Sequence, residues 1–427
     1  AGEPDRDAMN SRSAFVAVGL AVNLLVLLRG VLFLGVLGNA ELGVVALVQG
    51  VILLAGMLHF GLLNGGYRLL CHVRARARQR IVDLAYACFL ALGAAMLLGA
   101  LAAAAWVETP GHRAVALLAG IGGIATLVKT WMFNEMIAQS RLGPANRLNA
   151  ISILASLGLL LFLPVSPVLF AVGSIVAQPL VFALLAPLSG SVLLPRSLRL
   201  SRRLALVIAR AGFPLFLTGL AVQFNTFADR TYVAGELGLE ALGRLYLALL
   251  FVNLFQMVPN LVQQAYLPAI VRAFSEREAA LVTHETRMLF AWLAAYCLTV
   301  VLALWLLAEP LTGLLLPGRT QDLRFVYLLA PGLILFTLSG PFAIVFNVTI
   351  RYGWMIAAYG LGTAVTVATL GGAWALGEPL ALDAVAALRS VSYTLTALAL
   401  VVGWAVHARR LPEFRWLGGR RDAADAA

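Results

Sequence analysis

Long apolar segments recur along the whole chain, and each is long enough to cross a bilayer as a helix. A transmembrane helix needs about 20 consecutive, mostly apolar residues, within a range of about 17 to 25. Hydrophobic residues make up 61% of the 427 residues and charged residues only 12%, about half of what a soluble domain carries. The sequence therefore predicts an all-α integral membrane protein with about twelve spans, not a soluble globule. We place the spans near 13–37, 42–67, 82–106, 114–137, 148–164, 167–187, 205–233, 242–270, 288–308, 323–350, 353–376 and 384–407.

The net charge of +11 comes from arginines that lie in short clusters between these apolar segments. When the spans alternate across the membrane, most arginines fall on one side, as in 68–80 and 196–203, and most loop acids on the other. Loops rich in arginine face the cytoplasm. We therefore predict cytoplasmic tails at 1–12 and 409–427, and the basicity requires no nucleic-acid partner.

The three cysteines indicate neither a disulfide framework nor a metal site. Cys71, Cys88 and Cys297 are scattered and show no CxxC spacing. We expect no metal and no cofactor.

An internal repeat divides the chain into two halves. The segment LLRGVLFLGVLGNAELGVVAL aligns with FADRTYVAGELGLEALGRLYL, so that Leu42-Gly43 falls on Leu242-Gly243. Each half then contains six spans. Because six is an even number, both halves begin at the same face of the membrane and are related by an axis along the membrane normal. The predicted domains are an N-lobe with helices 1–6 (13–188), a basic cytoplasmic linker (189–204) and a C-lobe with helices 7–12 (205–408).

Several segments resemble one transporter superfamily. They are the helix with Asp229-Arg230, the turn and helix GELGLEALGRLYLALL, the prolines Pro259 and Pro268, and the segments ELGVVALVQG and HFGLLNGGYR. With these features the chain resembles the polysaccharide (O-antigen, Wzx-type) flippases of the MOP/MATE-like exporter superfamily. The resemblance implies two six-helix bundles around a central V-shaped cavity, with a polyprenyl-pyrophosphate-linked oligosaccharide as cargo. Relatives that flip the peptidoglycan precursor usually carry two extra helices, which this sequence lacks.

Three of the basic residues inside predicted spans are candidates for binding the cargo. Lys129, the sole lysine, lies midway along the fourth span, where its side chain cannot easily reach water. We interpret it as a cation that faces a watery cavity and holds a pyrophosphate or an acidic sugar; the alternatives are a lysine paired with one acid for structure and a neutral lysine in the core. Arg29 and Arg230 occupy similar places in the two repeats and are suited to bind a phosphate bidentately. The alternative interpretation is that the side chains of Arg29 and Arg230 both extend to the periplasmic membrane interface.

Two acidic residues are candidates for ion coupling or gating. Asp229 cannot pair well with Arg230, because neighbours on a helix point about 100° apart. It is either a coupling site or part of a salt bridge with Arg29 or Lys129. Glu135 lies six residues after Lys129, nearer the cytoplasmic end, and we expect it to be a solvated gate residue.

His59 and Asn225 complete the predicted substrate-binding set. His59, in the second span, could relay protons or contact sugar, or it could be a hydrogen-bonded core residue. Asn225 is an amide at membrane depth, which suits either sugar hydroxyls or bonds between helices.

The leading functional hypothesis is a flippase that moves a lipid-linked surface-polysaccharide unit, such as O-antigen, from the cytoplasmic to the periplasmic leaflet by alternating access. The alternatives are a MATE-like drug/cation antiporter and a membrane enzyme that acts on lipid-linked sugars. An antiporter would favour acids over bases in its cavity, and an enzyme would need a large external loop. We expect no enzymatic activity, a monomer in the bacterial inner membrane and a place near the glycan polymerase machinery.

Overall fold

The computed structural model describes residues 3–72, 75–107, 109–139, 141–198 and 200–408, and the predicted tail at 409–427 lies outside them. This part of the chain is helical throughout and contains no strand. The helices are α1 (Glu3–Val36), α2 (Asn39–Gly56), α3 (Leu62–His72), α4 (Ala75–Trp106), α5 (Pro110–Ala138), α6 (Leu142–Gly158), α7 (Pro167–Leu188), α8 (Arg202–Tyr232), α9 (Gly238–Arg244), α10 (Tyr246–Ser275), α11 (Ala279–Leu315), α12 (Leu323–Leu338), α13 (Gly340–Val348), α14 (Tyr352–Leu376) and α15 (Leu382–Gly403).

Twelve helical stretches among the described residues are long and apolar enough to cross a membrane. A π turn (Val233–Leu237) joins α8 to α9, and these count as one stretch, as do α12 and α13. The predicted all-α class and the count of about twelve spans are therefore confirmed.

Prolines and a serine mark several helix starts in the sequence. α5 begins at Pro110 and α7 at Pro167, because proline loses no hydrogen bond in the first turn of a helix. The hydroxyl of Ser201 accepts a hydrogen bond from Leu204 N at 3.4 Å and caps α8. The predicted separation of the fifth and sixth spans, 148–164 and 167–187, is thus confirmed.

The chain forms two compact units. Unit 1 contains Ala1–Leu250 and Leu370–Leu382, and unit 2 contains Phe251–Thr369 and Asp383–Ala427. In unit 1 α2 packs on α9, α5 lies against α4 and α7, and α6 also packs on α7. The predicted lobes at 13–188 and 205–408, and a cavity between them, remain predictions.

Each unit has its own aromatic packing. In unit 1 the ring of Trp131, which is fully buried, lies 5.7 Å from that of Phe89. In unit 2 Phe336 packs on Tyr393 at 5.1 Å and on Tyr359 at 5.9 Å. Trp131, Phe89 and Phe182 belong to one hydrophobic core cluster in unit 1.

The second predicted span, 42–67, is not one helix. α2 ends at Gly56 and α3 begins at Leu62, with a turn between them in which Phe60 has φ 47° and Gly61 has φ 85°. A Cβ on Gly61 would lie 2.7 Å from Phe213 N, so the turn presses directly on the α8 backbone. Hydropathy cannot show such a break, because all residues of the turn are compatible with an apolar span.

The two copies of the internal repeat meet in space within unit 1. A Cβ added to Gly43 would overlap the carbonyl oxygen of Leu239, and a Cβ added to Gly243 would overlap that of Asn39. Residues 39 and 43 align with 239 and 243 in the repeat, so each copy makes the same contact with the other.

Candidate functional site

Arg29 lies in α1 and is 6% exposed. Its Nη1 donates to the hydroxyl of Ser156 on α6 at 2.7 Å and to the carbonyl of Ser174 on α7 at 3.0 Å. A guanidinium has five N–H donors. Since both bonds use Nη1, Nε and Nη2 of Arg29 have no acceptor among the described residues.

Lys129 lies in α5 among apolar residues and another cation. Its Nζ is 5.6 Å from the centre of the Phe182 ring, a cation–π contact. The charged group that acts on it is Arg29, and no described carboxylate does so. The alternative that Lys129 is paired with an acid is therefore wrong for the part of the chain described here.

Arg230, near the end of α8, is 2% exposed. Its Nη1 donates to the carbonyl of Ala46 on α2 at 2.8 Å. One turn further along α2, a Cβ on Gly50 would lie 3.0 Å from Cδ of Arg230, so the missing side chain leaves room for this arginine. Arg29 and Arg230 are thus both buried, and the alternative that they extend to water is wrong.

Tyr246 links two of these basic residues, Arg29 and Arg230. It lies at the start of α10, is 2% exposed, and its hydroxyl accepts a hydrogen bond from Nε2 of Gln49 at 3.3 Å. The hydroxyl also interacts electrostatically with both Arg29 and Arg230. We call Arg29, Lys129, Arg230, Tyr246 and Gln49 the cationic cluster. All five belong to unit 1.

The sequence analysis missed Tyr246 and Gln49. An amide inside an apolar span, as Gln49 is, was a usable signal. Tyr246 carries no such signal, because a tyrosine at a helix start resembles a residue of the interfacial aromatic belt.

Asp229 and Asn225 lie on one face of α8, a helical turn apart. Asp229 is 4% exposed and Asn225 is half-buried. Their predicted roles in coupling and in substrate binding remain predictions.

His59 lies in the turn between α2 and α3 and is 3% exposed. Its Nδ1 accepts a hydrogen bond from Gly61 N at 3.2 Å, and its ring meets Phe216 edge-on at 5.3 Å. These contacts stabilise the turn and do not involve the cationic cluster. A role for His59 in binding stays a prediction.

Glu135 is fully buried, so the expectation that it is solvated is wrong. Its Oε1 accepts hydrogen bonds from Leu193 N at 2.7 Å and from Nε2 of Gln139 at 2.8 Å. Its Oε2 has no hydrogen-bond partner among the described residues. The connection between α7 and α8 folds over this end of α5, which a sequence distance of 58 residues conceals.

Other polar side chains hold the same connection. Nη1 of Arg141 donates to the carbonyl of Ser191 at 3.0 Å, and Asp83 accepts from Arg196 N at 2.8 Å and from the hydroxyl of Ser197 at 3.0 Å. We call Glu135, Arg141 and Asp83, with their bonds to residues 190–197, the linker clamp.

Unit 2 contains a buried arginine that the sequence analysis also missed. Arg389 in α15 is 6% exposed, and its Nε donates to the hydroxyl of Tyr393 at 3.3 Å. A charged residue inside a predicted span was the available signal.

Solved structures of several transporters share this architecture. The chain is similar to an inward-facing multidrug resistance MATE family transporter of the MOP superfamily, with a TM-score of 0.67 and 15% identity over 95% of this chain and 100% of that one. It is also similar to the lipid II flippase MurJ in an inward closed conformation, with a TM-score of 0.70 and 12% identity over 92% and 87% of the two chains. The fold is that of the MOP-superfamily transporters.

A third structure of this fold is a MOP-superfamily transporter from Pyrococcus furiosus, with a TM-score of 0.63 and 16% identity over 94% of this chain and 96% of that one. Its description states that a binding pocket of reversed polarity suggests a different function for it. No protein-family model matches the sequence, and no curated protein matches it significantly. At these identities the likeness concerns the fold alone.

Proposed function

We propose that this protein is a flippase that moves a polyprenyl-pyrophosphate-linked oligosaccharide from the cytoplasmic to the periplasmic leaflet by alternating access. The observation that carries the proposal is the cationic cluster, in which the buried Arg29 and Arg230 both act on Tyr246 and the half-buried Lys129 lies near Arg29. Even when Asp229 is counted, bases outnumber acids by three to one. Such a concentration of buried positive charge favours an anionic ligand.

A pyrophosphate fits the donors that this cluster offers. Nε and Nη2 of Arg29 lie in the geometry that binds two phosphate oxygens at once. The ammonium of Lys129 adds a point charge, and the hydroxyl of Tyr246 can donate a further hydrogen bond. In this proposal Asn225 and His59 contact the sugars, and the polyprenyl chain stays in the lipid.

Asp229 and Glu135 are the proposed coupling residues. Both carboxyl groups are buried inside spans, and Oε2 of Glu135 has no hydrogen-bond partner in the described chain. Asp229→Asn and Glu135→Gln should make transport independent of an imposed pH or sodium gradient. Unchanged gradient dependence in both variants would remove this assignment.

The proposal includes the setting predicted from the sequence. The protein acts in the bacterial inner membrane as a monomer, with both termini in the cytoplasm, near the glycan polymerase machinery. The two-lobe division at 189–204 is part of the same proposal.

The experiment is flipping in reconstituted vesicles, followed with a polyprenyl-diphosphate oligosaccharide and an added membrane-impermeant glycosidase. Arg230→Ala should abolish flipping. Arg210→Ala is the matched control, because Arg210 is also in α8 but is exposed. Equal flipping by the wild type and Arg230→Ala would contradict the proposal.

A MATE-like drug/cation antiporter is the second candidate, and the buried Asp229 favours it because a cationic drug needs an acid. In that case, Asp229→Asn would abolish proton-driven uptake of a cationic dye into inside-out vesicles, and Arg230→Ala would leave it intact. A membrane enzyme is the least favoured alternative, because the solved structures of this fold described above are transporters.

A further inference from the structure

Two backbone contacts between α2–α3 and α8–α9 lie within unit 1. The outer glycine contact is the reciprocal one between Gly43 and Leu239 and between Gly243 and Asn39. The inner glycine contact brings together Gly61, Gly65, Ile208 and Gly212, where a Cβ on Gly65 would overlap the carbonyl oxygen of Ile208, and one on Gly212 would overlap that of Gly61. The names follow the predicted sidedness, in which α2 starts at the external face.

No side chain can enter either contact. Small residues let helix backbones approach closely in membranes, where the attraction comes from packing and from weak Cα–H···O contacts. At this separation no water fits between the helices. Within each contact the backbones meet directly, and the side chains that cross between the helices lie beside the contacts, as His59 and Phe60 do against Phe216.

The cationic cluster lies between the two contacts. Ala46 and Gly50, which meet Arg230, follow Gly43 in α2 and precede the turn at Gly61. In the facing segment, α8–α9, Arg230 lies between Gly212 and Leu239 in the sequence. The outer contact therefore covers the cluster on one side and the inner contact on the other.

The inner contact has a hinge beside it. Phe60 holds φ 47°, a left-handed conformation that is costly for a residue with a side chain, and His59 Nδ1 holds the next backbone N–H. The break lets α3 move relative to α2. The outer contact is flanked by a similar device, because Gly238 has φ 86° at the π turn before α9.

We propose that the outer and inner glycine contacts are the two gates of the transporter, and that they open in alternation on either side of the cationic cluster. This inference rests on the proposed transport function but not on the identity of the cargo. In this proposal each gate is closed by contacts of glycine residues with the facing backbone. Any side chain at those glycine positions therefore holds that gate open.

The test measures from which side a thiol in the cluster is reached. Cys71, Cys88 and Cys297 are replaced by alanine, and Gln49→Cys supplies a half-buried probe between the gates. A membrane-impermeant maleimide is added outside intact cells or outside inside-out vesicles. Gly43→Ala should raise external labelling about tenfold or more and lower internal labelling, since overpacking shifts such an equilibrium by that factor. Gly65→Ala should do the opposite.

The matched control is Gly35→Ala in α1, where an added Cβ meets nothing within 4 Å. It should label like the probe chain alone. Gly243→Ala should act like Gly43→Ala and Gly212→Ala like Gly65→Ala, so each gate has a second variant if the first does not fold. Labelling that rises equally from both sides, or that does not change, would overturn the proposal. Loss of folded protein in all four variants would show permanent packing contacts and overturn it too.

No substrate is present in this experiment. Opposite shifts in labelling combined with no flipping of the oligosaccharide by the wild-type chain would preserve the gates and reject the proposed cargo. Normal flipping without shifts in labelling would reject the gates alone.

Discussion

The cationic cluster and the linker clamp are two charged regions of the same unit, and they differ in the hydrogen-bond partners that the chain gives to their charged groups. In the clamp, Oε1 of Glu135 accepts two hydrogen bonds and Asp83 accepts bonds from both backbone and side chain. In the cluster, two donor nitrogens of Arg29 have no acceptor in the described chain, and Lys129 faces a ring and another cation. Oε2 of Glu135 is the one carboxylate oxygen of the clamp without a partner in the described chain, and it is the atom on which the proposed coupling role rests. The hydrogen bonds of the clamp hold the linker, whereas the free donors of the cluster are available to a ligand.

Lys129→Met gives the strongest test of the difference between the cationic cluster and the linker clamp. We expect flipping to fall about 30-fold or more, because truncating one partner of a buried charge contact costs about 2 kcal/mol or more. The melting temperature in detergent should stay the same or rise, because a like charge leaves the vicinity of Arg29. A melting temperature lowered by several degrees would instead place Lys129 among the structural residues.

Glu135→Ala should show the reverse pattern. The N–H of Leu193 and the amide of Gln139 would lose their acceptor, at about 2–3 kcal/mol of stability. Thermal unfolding in detergent measures the loss. Glu135→Gln is the control, because its amide oxygen still accepts from Leu193 N. Equal stability of the alanine variant and the wild type would show that Glu135 does not hold the linker.

Asp83→Ala tests the edge of the clamp. Asp83 accepts from Gln79, Arg196 and Ser197 but is half-buried, so we expect a smaller loss of about 1 kcal/mol. Faster proteolytic cleavage near residue 196 should accompany it. A cleavage rate equal to that of the wild type would count against an anchored linker.

Tyr246→Phe tests the same difference within the cationic cluster. It removes one hydroxyl, which should weaken binding of a polyprenyl diphosphate about threefold to tenfold and leave stability nearly unchanged. Equilibrium binding to the purified protein measures this effect. Binding as tight as that of the wild type would exclude the hydroxyl as a ligand donor.

Sequence alone predicted the number of spans and drew attention to the basic side chains within them, whose roles remain predictions. Apolar runs report helix length directly, and an intramembrane Arg29, Lys129 or Arg230 is conspicuous because hydrocarbon excludes charge. Their burial within one unit follows from packing that hydropathy does not encode.

The remaining features depend on tertiary contacts. The break at Phe60 exists because Gly61 meets the backbone of α8, and an apolar run does not show this. Glu135 was expected in water because it lies near a helix end, whereas the linker from Leu193 covers it. Tyr246 approaches Arg29 and Arg230 only because the start of α10 packs near α1 and α8, and the sequence does not show this packing.

The contact of Gly43 and Gly243 has the form of an isologous interface, in which one patch meets its own copy across a twofold axis. Two identical polypeptides make such a contact when they dimerise. Residues 39 and 43 with 239 and 243 therefore preserve, inside one chain, the geometry by which two unfused ancestral subunits would have recognised each other. Gene duplication and fusion would have placed both halves of that pairing in one polypeptide and left each copy free to diverge around it.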